Sequence, residues 1–277
     1  LEKCGSQNNS SEVLFLTLGT VKAKIKYRKS IWVDALGNPL IAKRAVFLVI
    51  GFMSYFRFNI RNKLRITGAE VLKELPDEGV LFVSNHQTYY ADVAAMYHTI
   101  FAAKNGFYNS VKNPVYLLNP RVRMYFVAAK ETMKAGLLPR IFRLAGSVSI
   151  KRTWREAGVE INREVDQRDT QKIDLAIRDG WVITFPQGTT KPFKEGRKGT
   201  AHIIKKNEPI VVPITIDGFR RAFDKRGLVL KKKKVELKIR FKEPLNLNYD
   251  APVEDILNQV MDAIEQTEEH NRVPELD

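Results

Sequence analysis

The chain has 277 residues, 44% of them hydrophobic and 28% charged, enough for one large α/β domain or two small ones with an ordinary globular core. Its 46 Lys and Arg against 31 Asp and Glu leave a formal charge of +15, which points to a polyanionic partner: nucleic acid, an anionic membrane surface or phosphorylated substrates. A single cysteine, Cys4, excludes an internal disulfide framework and suits a reducing compartment.

Residues 1–12 (LEKCGSQNNSSE) are polar, show no periodicity and no secretory pattern, and read as a disordered tail. A first residue other than Met points to a truncated or tagged chain. Residues 13–63 read as a basic, amphipathic, membrane-associating segment. Within it Val21–Arg28 alternates Val21, Ala23, Ile25 and Tyr27 with Lys22, Lys24, Lys26 and Arg28, a strand with one wholly basic face. That face is either a lysine-protected edge or a lipid-facing surface. Ala45–Phe56 is an uncharged run of 12 residues. A bilayer span needs about 20. Lys43 and Arg44 precede the run and Arg57, Arg61, Lys63 and Arg65 follow it, which suits a helix lying in the headgroup layer; a buried core helix with a solvated basic end is the other reading.

Leu64–Ile66 reads as a short strand, Pro76-Asp77-Glu78-Gly79 as a turn, and Leu81–Val83 as a buried strand ending at Ser84-Asn85-His86. After an aromatic turn, Asp92 opens a helix through Lys104. A histidine at a strand's C-terminal end, with a carboxylate in the first turn of the next helix, is a base-and-orienter pair. Asp92 can fix the imidazole tautomer and stabilise the imidazolium, so that His86 takes a proton from an attacking hydroxyl or amine. His98, further along the same helix, reads as a packed polar residue.

Lys112–Pro120 is a turn-rich connector, Met124–Ala129 (MYFVAA) a buried strand ending at Lys130, and Ser147–Ile150 a strand ending at Lys151-Arg152. Thr153–Arg168 reads as helix and loop, and Asp169–Asp179 as a helix with Ile173, Ala176 and Ile177 inward and Gly180 as its C-cap. Trp181–Phe185 is another buried strand. It breaks into Pro186-Gln187-Gly188-Thr189-Thr190-Lys191, whose hydroxyls and amides suit an anion or a thioester oxygen. Lys191, Lys194, Arg197 and Lys198 make its rim basic. Ile210–Ile216 (IVVPITI) is a strand with Pro213 in its middle. Arg220–Lys234 carries the densest charge, in a hairpin-like segment turning at Asp224–Gly227; Val235–Phe241 then alternates as a strand and Glu254–Glu268 as an amphipathic helix. No linker or repeat interrupts residues 64–268, so 64–277 read as one domain.

The blocks NHQTYYAD, FPQGTT and VPITI, in this order, resemble the lysophosphatidic acid acyltransferase family, the PlsC-like glycerolipid acyltransferases, from about Leu64 to Phe219. The resemblance implies a single-domain α/β fold, a mixed sheet flanked by helices. It implies transfer of a fatty acyl chain from an acyl thioester, acyl-CoA or acyl-carrier protein, to the hydroxyl of a lysolipid such as 1-acylglycerol 3-phosphate. His86 and Asp92 match the catalytic positions. Arg152, in a weaker second block running from Lys130, matches an arginine that binds the acceptor's phosphate; Gln187, Gly188, Thr189, Thr190 and Lys191 match the third block. No metal, cofactor or covalent intermediate is needed. The implied partners are the two substrates and an anionic membrane surface, with the protein membrane-associated on the cytoplasmic face.

Two departures from the family stand out. Five residues separate His86 from Asp92 where the family has four, and Gln187 and Thr190 replace the Glu and Arg of the third block. The second departure opens the acceptor to question, and an amino-acid-derived lysolipid becomes a candidate. It also motivates an alternative, a catalytically degenerate membrane-bound scaffold. Other chemistries fare worse. The four histidines (86, 98, 202, 270) and Cys4 have no metal-ligand spacing, no G-x-S-x-G marks an acyl-serine hydrolase, and no P-loop spacing occurs. A nucleic-acid-binding protein would explain the charge, but basic residues do not interleave with aromatics as stacking platforms require.

Overall fold

The computed structural model describes residues 29–133, 137–151, 155–156, 159–160, 164 and 166–271. The tail at 1–12, the alternating segment Val21–Arg28 and Arg152 lie outside the described residues. A seven-stranded mixed sheet runs in the order β1-β9-β8-β2-β7-β3-β4, built from β1 (Lys63–Thr67), β2 (Val80–Ser84), β3 (Met124–Ala129), β4 (Ser147–Ile150), β7 (Trp181–Thr184), β8 (Ile210–Asp217) and β9 (Glu236–Phe241). A separate antiparallel pair is formed by β5 (Arg155–Glu156) and β6 (Val159–Glu160). Neighbours in the large sheet pair in parallel except β8 with β9.

Period-two alternation sorts the strand side chains into two layers. Val80 and Phe82 of β2, Trp181 and Ile183 of β7, and Val212, Ile214 and Ile216 of β8 face α1 (Leu40–Tyr55) and α2 (Ala91–Lys104). Leu81, Val83, Val182 and Val211 face α4 (Gln167–Asp179), α5 (Lys198–Asn207) and α7 (Val253–Ala263). Burying each large apolar side chain of these layers contributes about 1.5–3 kcal/mol. On the α4 side the cover stops short of the sheet edge. There β1 and β9 turn Arg65, Thr67, Lys238 and Arg240 outward, and the exposed strand face becomes one wall of a polar cleft.

Strand positions agree with the sequence reading, and several helical details differ. α1 begins before the uncharged run, at Leu40, and continues into a π-helical turn over Phe56–Ile60. No described helix is long and apolar enough to cross a membrane. Lys198, read as part of the basic rim, opens a helix through Asn207 that the sequence reading did not include, and its Ala201 and Ile204 are buried. α7 ends at Ala263 rather than at Glu268. Within Thr153–Arg168, expected to be helix and loop, the described residues include the β5–β6 pair. Gly180 does cap α4, but in an extended conformation (φ −175°) rather than a left-handed one. Glycine is required there by close approach, since a Cβ would meet the Arg123 carbonyl oxygen at 2.1 Å.

α1 is fastened to the sheet by a buried polar cluster. Lys43 Nζ lies 3.1 Å from Asp34 Oδ2 and 4.0 Å from the Tyr125 ring centroid. Asn38 donates to Asp34, and the Tyr125 hydroxyl and Arg123 donate to Asp179. Burial pulls the Lys43 ammonium below its ordinary value, more strongly than the Asp34 carboxylate raises it. Removing either partner of such a pair costs about 3–5 kcal/mol, because the other is left charged in the interior.

Candidate active site

β2, β7 and β8 run in parallel, so their C-terminal ends meet at one edge of the sheet. His86 lies two residues past β2, and Asp92 sits in the first turn of α2, where the helix dipole favours negative charge. His86 Nδ1 is 3.0 Å from Asp92 Oδ2. The same carboxylate accepts the amides of Gln87 (2.6 Å) and Thr88 (2.9 Å) and the Thr88 hydroxyl (2.7 Å), and it is fully buried. Four donors thus converge on Asp92 and fix its oxygens. With Nδ1 turned to the carboxylate, the imidazole presents Nε2 to the cleft, which His86 lines.

His86 and Asp92 are joined by the aromatic turn at Tyr89 and Tyr90. The amides of Tyr89 and Tyr90 donate to the carbonyls of Lys225 and Arg226 at 3.1 and 3.0 Å, so this turn leans on the hairpin that follows β8. Gly227 makes the approach possible, since a Cβ there would meet the Ala91 nitrogen at 2.5 Å, and its φ of +77° is left-handed. Phe185, at the end of β7, stacks on the imidazole with ring centroids 3.9 Å apart. Asn85 bridges β2 to β8 through paired bonds with the Ile216 backbone, 2.9 and 2.8 Å.

The third sequence block is also at this edge, but its side chains divide. Gln187, expected to bind substrate, is turned into the protein and is only 2% exposed. Its Nε2 donates to the Lys194 carbonyl (2.9 Å) and to Gln266 Oε1 (3.2 Å), which tethers the loop to the end of α7. Its Oε1 is buried without a partner. Neither Gln187 nor Gly188, Thr189, Thr190 or Lys191 lines the cleft, whereas Pro192 and Phe193 do. The Gly188 amide closes a turn on the Phe185 carbonyl (2.9 Å), the Thr189 hydroxyl accepts from the Lys191 amide (3.3 Å), Thr190 is buried and the Lys191 side chain is in solvent.

Lys130, expected to bind substrate, is at the same edge of the sheet, beyond β3, where its ammonium donates to Asp169 at 3.0 and 3.1 Å. Burial raises the Asp169 carboxyl, and the Lys151 amide with Lys130 and Lys172 outweighs that effect, leaving it below the ordinary carboxylate range. His98 is packed as expected: Nδ1 meets the Tyr116 hydroxyl and Nε2 the Ser54 hydroxyl, both at 2.8 Å. Burial pushes it down to about 4, so it is neutral at physiological pH.

One cation missed as an individual by sequence reasoning is Arg220. It appeared there only as part of a charge run, although it follows the third strand block by a few residues. Its guanidinium donates to the Thr190 carbonyl, its own amide meets Gln87 Oε1 at 3.2 Å, and it lines the cleft with His86. The other cleft arginines are paired with carboxylates, Arg65 with Glu236 and Arg240 with Glu265. The cleft has a volume of about 810 Å³. On the other side of the sheet, below the aromatic turn, Tyr90 stacks on Phe142 (4.1 Å) at an apolar cavity of about 70 Å³ lined by Phe47, Val93, Ala94, Tyr97 and Phe101.

Comparison with known proteins bears on the fold and the family. The crystal structure of the 1-acyl-sn-glycerophosphate (LPA) acyltransferase PlsC from Thermotoga maritima has a similar fold, with a TM-score of 0.51 and 16% identity over 80% of this chain and 77% of that one. No curated protein matches the chain by sequence. The sequence model of the acyltransferase family matches residues 63–217, more than half of the chain. That span contains His86, Asp92, the 186–191 loop and all of β8, and by it the chain belongs to the acyltransferase family.

Proposed function

We propose that this protein transfers a fatty acyl chain from an acyl thioester to the hydroxyl of a lysolipid with an anionic headgroup, such as 1-acylglycerol 3-phosphate, at a membrane surface. The observation that carries this reading is the His86–Asp92 pair at 3.0 Å, with four donors fixing the carboxylate and the imidazole opening on the cleft. His86 Nε2 takes the proton of the acceptor hydroxyl as its oxygen attacks the thioester carbonyl. The new C–O ester bond forms, the C–S bond breaks, and the proton passes to the departing thiolate. Asp92 holds the Nδ1–H tautomer and stabilises the imidazolium formed in passing. Phe185 restrains the ring, and Arg220 offers the headgroup a planar guanidinium fork. The donor is a thioester of coenzyme A or of acyl-carrier protein, and the protein works from the cytoplasmic face without a cofactor.

A second reading concerns the acceptor alone. Arg220 fits a carboxylate as well as a phosphate, and Thr190 stands where the family has arginine. An amino-acid-derived lysolipid carrying a free hydroxyl therefore remains a competing acceptor. The test is the purified protein with each thioester class and a panel of lysolipids, read by mass spectrometry of the products. Diacylated product that requires His86 is expected. Turnover by none of the donor–acceptor pairs, in a folded protein, would defeat both readings and favour the scaffold.

A further inference from the structure

We propose that Lys231–Lys234 and the hairpin before them join the exposed face of α1 in one surface that rests on an anionic bilayer and brings the catalytic edge of the sheet to it. The proposal builds on the membrane-surface enzyme argued above. On α1 and the π-helical turn, Leu48, Val49, Phe52, Met53, Phe56 and Ile60 recur at helical spacing on one face and are between 40% and 63% exposed. Water is a poor solvent for such a stripe, and a headgroup layer flanked by cations is a good one.

In sequence the lysine run lies far from that face, and the fold brings the two together. The Lys234 amide donates to the Arg61 carbonyl at 2.7 Å, the Lys63 amide to the Val235 carbonyl at 3.0 Å, and Arg57 Nη1 to the Leu228 carbonyl at 2.7 Å. Phe58 packs on Phe223, at the base of the hairpin, with centroids 5.9 Å apart. The four lysines are all exposed, and no ion pair among the described residues involves them. Val229, in the same hairpin, is a further exposed apolar side chain, at 62%. An acidic protein or a nucleic acid would neutralise the lysines but leave the apolar stripe in water; an anionic bilayer satisfies both.

The same hairpin reaches the candidate catalytic pair. β9 starts where β8 ends, with Lys238 opposite Asp217, so the lysine run just before β9 is at the sheet edge that carries His86. Within the hairpin the carbonyls of Lys225 and Arg226 receive the amides of Tyr89 and Tyr90, and Gly227 packs on Ala91. Contact of this segment with headgroups therefore sets the bilayer beside the His86 loop, the direction from which a lysolipid arrives.

The test uses the full chain in flotation with phosphatidylcholine vesicles, with and without phosphatidylglycerol. Replacing Lys231, Lys232, Lys233 and Lys234 by Gln is expected to lower affinity for the anionic vesicles at least about tenfold, and replacing all four by Arg to preserve it. A charge-matched control changes Arg168, Arg178, Lys205 and Lys206 to Gln on α4 and α5, across the sheet from α1, and is expected to bind like the wild type. Equal losses in the run variant and the control would overturn the proposal, as would unchanged binding of the run variant. Acyl transfer to a detergent-dispersed lysolipid is measured in parallel. Its absence in the wild type would defeat the enzymatic reading without touching the flotation result.

Discussion

The ring of Phe185 lies against the imidazole of His86, with centroids 3.9 Å apart and planes 23° from parallel. β2 and β7 end close together, Val83 being paired with Thr184, and the contact joins the residue two past β2 to the residue just past β7. A base held on one side by Asp92 and on its face by an aromatic ring keeps its direction toward the cleft. Replacing Phe185 by Ala should free the ring and lower kcat roughly tenfold, with little change in KM and rescue by Phe185→Tyr. An unchanged kcat in Phe185→Ala would show that the Asp92 bonds alone orient His86.

His86→Ala should reduce the rate of acyl transfer by at least about a hundredfold with the fold intact, as loss of a general base does. Asp92→Asn should also slow turnover, because an amide cannot accept all four donors that now converge on the carboxylate. Near-normal turnover of a folded His86→Ala protein would rule out the mechanism.

Restoring the family's glutamate at position 187 should destabilise this protein rather than improve phosphate recognition. Gln187 donates to two acceptors, the Lys194 carbonyl and Gln266 Oε1, and a carboxylate there would face both with negative charge. We expect Gln187→Glu to lose about 1–3 kcal/mol in urea unfolding, the usual cost of an unmatched buried polar group. Wild-type stability with increased use of lysophosphatidic acid would mean that residue 187 does face the acceptor.

Arg220→Gln should raise KM for an anionic acceptor by about 10- to 100-fold, with a smaller effect on kcat, and Arg220→Lys should recover only part of it, because an ammonium lacks the bidentate fork. Steady-state kinetics with lysophosphatidic acid and with an N-acyl amino acid lipid separate the acceptor classes. A KM unchanged for both would remove Arg220 from headgroup binding.

His98 predicts an acid-side loss of stability. Its folded-state pKa, lowered by burial from 6.5 to about 4, means that the unfolded chain takes up the proton first as pH falls. The contribution is complete above about 6.5 and declines toward about 4, a total of about 3 kcal/mol. Urea midpoints measured over that interval should fall more steeply for the wild type than for His98→Phe. Parallel curves would show that His98 protonates in place between Ser54 and Tyr116.

Alternation and apolar runs determined the strands, because a residue's side of the sheet is fixed by the strand period alone. MYFVAA, SVSI and ELKIRF lie where the pattern puts them, and His86 and Asp92 are chained to a strand end and the following helix start, so local sequence nearly dictates their meeting. The distribution of charge was settled only in three dimensions. Gln187 and Lys130 are polar residues at the right edge of the sheet, and sequence could not reveal that Gln266 and Asp169, 79 and 39 residues away, would occupy them. Arg220 and the lysine run acquire their surroundings in the same way, through β8 and β9 folding back beside β2 and β1. Period and propensity are local properties of the chain, whereas which charges are neutralised depends on contacts between segments distant in sequence.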